Sequence, residues 1–298
     1  MDESAVADPN AGNVAGVIAV PVAGIAAWRR QREERGMERP VCFVPTMGAL
    51  HDGHAALIKA ARIAGGQEAE VVVSVYVNPT QFNDAADFEA YPQTAEADVA
   101  LAAAAGADTV VFPGTEELYP DGVPAQVERV HYGALTSLWE AEHRPGHFDG
   151  VVAVVRALFA QFRPQQVFFG EKDWQQLAVI KRLVAQEFAH LNVVPVGTVR
   201  EPSGLALSSR NTRLSEQGRI QARALYAAMK GVVESGGAPD ALVRAMESME
   251  SAGMRVEYLA VVDEADLVEP WSRKGPGRVL VAAWLDGVRL IDNIGILP

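Results

Sequence analysis

The segment Val41-Cys-Phe-Val-Pro-Thr-Met-Gly-Ala-Leu-His51-Asp-Gly-His54 reads as a buried strand, a glycine turn and the opening of a helix near His54. The strand is apolar without alternation. That pattern belongs to parallel strands covered by helices on both faces. In an open α/β sheet, ligands bind beyond the carboxyl ends of the strands. A helix N-terminus placed there offers free N–H groups and partial positive charge, which suits phosphate. His51 and His54 are three apart, so they share one face of a helical start. Gly48 lets the backbone approach a ligand closely. The bland alternative is a structural turn with two surface histidines. The position directly after a buried strand favours the ligand site.

The same strand–helix alternation extends in both directions. Strands are predicted at Val71–Val77, Thr109–Phe112, Val167–Phe169 and Val193–Val199. Helices are predicted at His54–Ala64, Ala95–Ala105, Val151–Phe162 and Trp174–Phe188. Such a series implies a Rossmann-like, doubly wound parallel sheet. The pattern changes after Thr198. Ser215–Val233 and Pro239–Ala252 read as helices, Arg255–Val262 and Val279–Trp284 as strands. Asp286-Gly287 is a hairpin signal before Val288–Ile291. A smaller α+β domain over residues 199–298 follows, beside a first domain over 17–198.

The 298 residues fit about two domains at roughly 150 residues each. The formal net charge of -12 argues against a nucleic-acid partner or an anionic membrane surface. It leaves room for a small polyanion held by a local cluster of cations. The single cysteine, Cys42, excludes an internal disulfide and a Cys-rich zinc site, and points to a reducing, cytoplasmic location. It lies in an apolar strand and reads as a core residue. Residues Pro9–Trp28 are uncharged, but the compact apolar part is short and broken by Pro21 and glycines. Acidic residues precede it, unlike a secretory signal. It reads as a disordered tail over 1–16, a strand at Val17–Val20 and a helix from Pro21 to about Gly36.

Neither a Walker A sequence nor a G-x-G-x-x-G after a strand is present, so nucleotide binding would need another architecture. Other strand ends carry further candidates. In Phe168-Phe-Gly170-Glu-Lys172-Asp173-Trp-Gln175-Gln176, Lys172 is a point charge for phosphate and Asp173 a cap, a ribose contact or a metal ligand. In Gly204-Leu-Ala-Leu-Ser208-Ser209-Arg210-Asn211, two hydroxyls and a guanidinium make an anion clamp at the domain junction. In Val77-Asn-Pro-Thr-Gln81-Phe82, the Gln81 amide suits a small polar substrate. Arg144-Pro-Gly-His147-Phe148 is equally a turn or a site.

Taken together, these five motifs resemble the pantothenate synthetase family in order and spacing. The C-terminal Val281–Leu285 and Arg289–Asn293 fit as well, and the resemblance runs from about Val17 to the end. The His51–His54 motif is similar to the HIGH signature of the wider nucleotidyltransferase superfamily. The resemblance implies ATP-dependent condensation of (R)-pantoate with β-alanine, giving AMP and pyrophosphate through a pantoyl-adenylate. It implies that Met47, Gly48, Ala49, Leu50, His51, Asp52, Gly53 and His54 contact ATP, with His54 as proton donor. Gly170, Glu171, Lys172, Asp173, the backbone at Val199, and Leu207, Ser208, Ser209 and Arg210 complete that site. By the same likeness Gln81 and Gln176 bind pantoate, Gln81 also meets β-alanine, Mg²⁺ is required, Asp98 is the candidate metal ligand, and the chain forms a homodimer.

This chemistry makes sense of the residue types. A carboxylate is a poor electrophile, and adenylation gives it a leaving group. Two anions must meet, so His51, His54, Lys172, Arg210 and a metal would offset their repulsion. The mixed anhydride hydrolyses in water, so the cleft must exclude solvent, and the Ser208–Arg210 loop is placed to close over it as part of a C-terminal lid. Gln93 and Asp149 stand where the family often has arginine. The rival readings are a nucleotidylyltransferase that releases a stable conjugate and a nucleotide-binding scaffold. Gln81 and Gln176 argue against the first, the intact motifs against the second.

Overall fold

The structure is a computed structural model, and it describes residues 19–298. The expected tail 1–16 and the residues Val17 and Ile18 lie outside the described range. The first part of the chain runs β1 (Val20–Ala23), α1 (Ile25–Glu34), β2 (Val41–Thr46), α2 (Asp52–Gly65), β3 (Glu70–Val75), α3 (Ala85–Glu89), α4 (Ala95–Ala105) and β4 (Thr109–Phe112). It continues through α5 (Thr115–Leu118), α6 (Glu140–His143), α7 (His147–Phe162), β5 (Gln166–Gly170), α8 (Trp174–Glu187) and β6 (Asn192–Val196). The second part holds α9 (Glu216–Glu234), α10 (Pro239–Ser251), β7 (Arg255–Asp263), β8 (Gly277–Leu285) and β9 (Val288–Ile296).

The six strands β1 to β6 form one parallel sheet in the order β1-β4-β3-β2-β5-β6. Successive side chains on a strand point to opposite faces. Here Phe43, Val72, Val111 and Val167 enter one core, while Val44, Val71, Val73, Val110 and Phe168 enter the other. Both faces are therefore dry, which explains the unbroken apolar runs. From β2 the chain moves outward to β3 on one side, and β5 returns on the other. The carboxyl ends of β2 and β5 thus flank a topological switch point, where the crevice of such a sheet opens.

β7, β8 and β9 form an antiparallel sheet. Asp286 and Gly287 both have positive φ, 53° and 74°, as a two-residue hairpin of the twisted-strand type demands. α9 and α10 cover this sheet around Leu225, Met229, Met249 and Val279. Ala260, Val262, Leu267 and Leu280 face the other way and join the core of the parallel sheet.

The first strand differs from expectation. It occupies Val20–Ala23, so Pro21 lies within a strand and does not open a helix. β1 is an edge strand, where a missing N–H is tolerated. α1 starts at Ile25, and Glu117 accepts the N–H groups of Ile25 (2.9 Å) and Ala26 (2.8 Å). That cap comes from 92 residues away and has no local signature. α7 starts at His147, four residues before the expected start, and Asp149 in its first turn accepts the Val130 N–H at 2.9 Å. β6 stops at Val196, short of Val199.

Candidate active site

The turn after β2 is built to present two imidazoles. Gly48 has φ +83°, and a Cβ there would sit 3.0 Å from both Asp98 Oδ2 and Val75 Cγ1. Ala49 also has positive φ, at 50°, a strained value for a residue with a side chain. Asp98 holds this conformation from beneath. Its Oδ2 accepts the Ala49 N–H (3.1 Å), and its Oδ1 accepts the Leu50 N–H (2.8 Å) and the Thr94 hydroxyl (3.0 Å). Asp98 is 2% exposed and both oxygens are engaged. In this structure Asp98 fixes the turn.

α2 opens at Asp52, with His51 as its cap. His51 Nδ1 accepts the Gly53 N–H at 3.1 Å, and His54 Nδ1 accepts the His51 N–H at 3.2 Å. The rings lie 4.2 Å apart. With both Nδ1 atoms accepting, each neutral ring carries its proton on Nε2. Burial, then the neighbouring Lys172, lowers the pKa of His51. Burial, then His51, pushes that of His54 down to about 3. These shifts favour neutral imidazoles that offer Nε2–H donors, with positive charge beside them at Lys172 and the arginines.

The turn after β5 stands beside them. Lys172 Nζ is 3.5 Å from Asp173 Oδ1. Asn293 on β9 donates to the carbonyls of Glu171 (2.9 Å) and Lys172 (2.8 Å), so the antiparallel sheet holds this turn. Asn293 is fixed in turn by Arg278, whose guanidinium stacks 3.2 Å from the Trp174 ring centroid. Gln175, adjacent in sequence to the expected Gln176, is structural: it binds the Glu140 N–H and the carbonyls of Leu135 and Leu138.

The third wall is the turn after β3. A Cβ at Gly150 would lie 2.2 Å from the Thr80 carbonyl oxygen, so glycine lets α7 pack directly on Asn78–Gln81. Asn78, 1% exposed, donates to the Gly150 carbonyl (3.2 Å) and to Gln81 Oε1 (3.1 Å). Gln81 Nε2 donates to the Met47 sulfur at 3.1 Å. His147 Nδ1 donates to the Gln81 carbonyl (2.8 Å), and Arg144 lies 3.1 Å from His147 Nε2. Burial pushes His147 down to about 3, followed by the charge of Arg144.

The clamp loop closes the fourth side. Ser208 caps a short helical turn by accepting the Arg210 N–H, and Ser209 donates to the Ala49 carbonyl at 3.2 Å. The Val199 carbonyl accepts the Leu207 N–H at 3.0 Å. Arg210 Nη2 is engaged by Asp87 on α3 at 2.9 Å, and Arg213 binds the other oxygen at 2.7 Å.

A cleft of about 270 Å³ joins these turns. Of the sequence candidates, Met47, His51, Gly53, His54, Gln81 and Gly170 line it, as do Lys172, Asp173 and Gln176. So do Val199, Leu207, Ser208, Ser209 and Arg210. Gly48, Ala49, Leu50, Asp52 and Glu171 are not among its lining residues; they shape the turns behind it. Among the described residues, no group of three or more His, Cys, Asp or Glu is placed to hold a metal, and no helix is long and apolar enough to cross a membrane.

The sequence reading missed Glu140, Tyr258 and Arg289. Glu140 is buried, accepts Arg289 twice (2.8 and 2.6 Å) and the Tyr258 hydroxyl (2.7 Å), and titrates at about 2 against its own burial. Glu140 stands in Trp139-Glu-Ala-Glu-His, which reads as a solvated helix, so it carried no signal. Arg289 did have one, as part of the C-terminal motif.

The pantoate–β-alanine ligase family model matches residues 18–295. A pantothenate synthetase of Cereibacter sphaeroides is 47% identical over 280 residues, 92% of this chain and 96% of that protein. The crystal structure of the Thermus thermophilus pantothenate synthetase matches with a TM-score of 0.81 at 41% identity, covering 94% of this chain and 100% of that one. The Francisella tularensis pantoate–β-alanine ligase, crystallised with β,γ-ATP and β-alanine, matches at 0.78 and 32% identity, covering 93% and 97%. The motifs, the switch-point cleft and these likenesses agree: the chain belongs to the pantoate–β-alanine ligase family and is an enzyme of that family.

Proposed function

We propose that this enzyme condenses pantoate with β-alanine in two steps within the one cleft, splitting ATP to AMP and pyrophosphate. In the first step a pantoate carboxylate oxygen attacks the α-phosphorus of ATP and displaces pyrophosphate, leaving a pantoyl-adenylate. In the second, the β-alanine amine attacks the acyl carbon, the amide C–N bond forms, and AMP leaves with the bonding electrons. The amine gives up a proton in that step.

The observation that carries this reading is the pair of neutral imidazoles with both Nδ1 atoms tied to the backbone. It leaves two Nε2–H donors fixed where charge would grow on the phosphate, which is the preorganisation such a step needs. His54 serves as the donor to the phosphate oxygens, and Lys172 supplies a full charge beside it. Ser208, Ser209 and Arg210 engage the outer phosphates, and the amides of Gln81 and Gln176 orient pantoate, with Gln81 meeting β-alanine too. Residues 199–298 form the lid of the site, since Ser209 and Asn293 already touch the two turns it would cover. Mg²⁺ would travel with ATP, held chiefly by its phosphates, with Asp173 the carboxylate at hand. Its role when bound is to neutralise phosphate charge. A homodimer in the cytoplasm completes the reading, on the strength of the family resemblance.

The test is product analysis. AMP is expected to form only when both pantoate and β-alanine are present. ADP as product would overturn the proposal. Labelled pantoate incubated with ATP alone should yield an acid-labile acyl-adenylate. A stable nucleotide conjugate as the end product would mean simple nucleotidyl transfer.

A further inference from the structure

Resting on that two-step reading, we propose that Arg144 is the residue that recognises the β-alanine carboxylate and so sets the specificity for the amine substrate. Arg144 is an incompletely used cation. Arginine carries five N–H donors in a rigid fork. In Arg144, Nη1 meets His147 Nε2 at 3.1 Å and Nη2 donates to the Gln81 carbonyl at 3.4 Å. The nearest carboxylate, Glu140, is 3.7 Å away, beyond hydrogen-bonding distance. Glu140 already accepts three hydrogen bonds, from Arg289 and Tyr258. The Arg144 side chain is only 22% exposed, so its remaining donors have little water to bind. A largely buried guanidinium with spare donors is a site for an anion.

Its position selects which anion. The other cations of the cleft have closer carboxylate partners: Lys172 has Asp173 at 3.5 Å and Arg210 has Asp87 at 2.9 Å. Arg289 is taken by Glu140 and Glu257. Arg144 alone of these touches the Gln81 turn. It also lines a second cavity of about 480 Å³, which opens between α3 and the β8–β9 hairpin and meets the first along Glu140, Lys172, Asp173, Ser208, Arg210 and Asp292. An amine substrate lying where the two cavities join at Arg144 would meet Gln81, which lines the first, at its leading end and Arg144, which lines both, at its trailing end. The chemistry agrees. The pantoate carboxylate loses its charge on adenylation, so a fixed cation on it would resist the reaction. The β-alanine carboxylate stays ionised from binding to product and needs a lasting counter-charge.

The experiment compares two reactions of the full-length enzyme. Pantoate-dependent exchange of pyrophosphate into ATP, without amine, reads the first step. Amide formation with β-alanine or with propylamine, which lacks the carboxylate, reads the second. For Arg144→Ala the KM for β-alanine should rise about 10–100-fold, the value of a charge-assisted hydrogen bond, and the preference for β-alanine over propylamine should fall by a similar factor. Exchange should fall far less, and Arg144→Lys should be intermediate in preference. An unchanged preference would overturn the inference. So would exchange lost as fully as ligation in both variants, since Arg144 would then serve pantoate or the fold. Wild-type enzyme without any exchange would overturn the two-step reading itself, and the inference with it.

Discussion

The two halves of the cleft are held in different ways. The histidine turn is fixed from within the parallel sheet by backbone-directed hydrogen bonds: Asp98 beneath Ala49 and Leu50, and each imidazole on a backbone N–H. The clamp loop faces it across the cleft mouth. Across the cleft and to α3 it is tied by one hydroxyl bond from Ser209 and by the ion pairs of Arg210 and Arg213 with Asp87. Arg213 is exposed and Arg210 is about a third exposed, so water and salt compete for these pairs. The first half is set before any ligand arrives. The second rests on solvent-accessible pairs that a competing anion would displace.

The largest effect should come from breaking the fixed half at its chemical end. His54→Ala and Lys172→Ala are expected to lower turnover by about 10²–10⁴-fold, the usual range for removing a proton donor or a charge stabiliser. Far-ultraviolet circular dichroism should remain that of the parent. Parent-like turnover in either variant would take that residue out of the reaction.

Acid should attack the same half next. His147 and His54 both have folded pKa values near 3, far below the ordinary 6.5. A histidine depressed in the fold binds its proton only on unfolding. It therefore adds nothing to the pH dependence above about 6.5 and destabilises progressively as pH falls toward 3. The slope approaches about 1.4 kcal/mol per pH unit for each such group. Glu140, depressed to about 2, adds loss of the same sign only below the ordinary glutamate range near 4.5. The interval from pH 6.5 to 4.5 thus isolates the histidines. Denaturant unfolding across it should show a steep fall, and His147→Gln should flatten the curve. A parallel curve would mean that His147 is already protonated in the fold.

What the sequence disclosed follows the same division. The β2–turn–α2 unit was legible because every cue is local: apolar strand, glycine, histidine spacing. The hairpin at Asp286-Gly287 was legible for the same reason. The role of Asp98 was not, because the bonds that assign it to the turn cross from α4 to residues 48 and 49 positions away. The charge state of the histidines was hidden too, since a motif shows residue types and not their burial. Glu140 was invisible because its partner Arg289 is 149 residues distant. The family resemblance named the residues of the cleft. It did not show that Arg210 and Asp87 are paired.

Asp98→Asn tests the support of the turn directly. The amide keeps the volume but turns one of two acceptors into a donor, facing an N–H or the Thr94 hydroxyl. A buried donor without a partner costs about 1–3 kcal/mol. Unfolding should move by that amount, and the KM for ATP should rise because Ala49 no longer has its left-handed backbone held. Unchanged stability with lost Mg²⁺ dependence would return Asp98 to the metal.

The smallest effect is expected at the other half, and its direction is opposite. Asp87→Ala removes the carboxylate that pairs with Arg210, the proposed phosphate contact. The lost pairs are solvent-accessible, so stability should change by less than about 1 kcal/mol. Nucleotide binding should instead improve by a few fold, since Arg210 no longer has to leave a partner. Raising the salt concentration weakens the same pairs in the parent but not in the variant, so the gap between the two proteins should narrow with ionic strength. Calorimetric titration with a non-hydrolysable ATP analogue at low and high salt measures both quantities. Weaker binding in the variant would make Asp87 a support that positions the clamp, and the second half of the cleft would then be as fixed as the first.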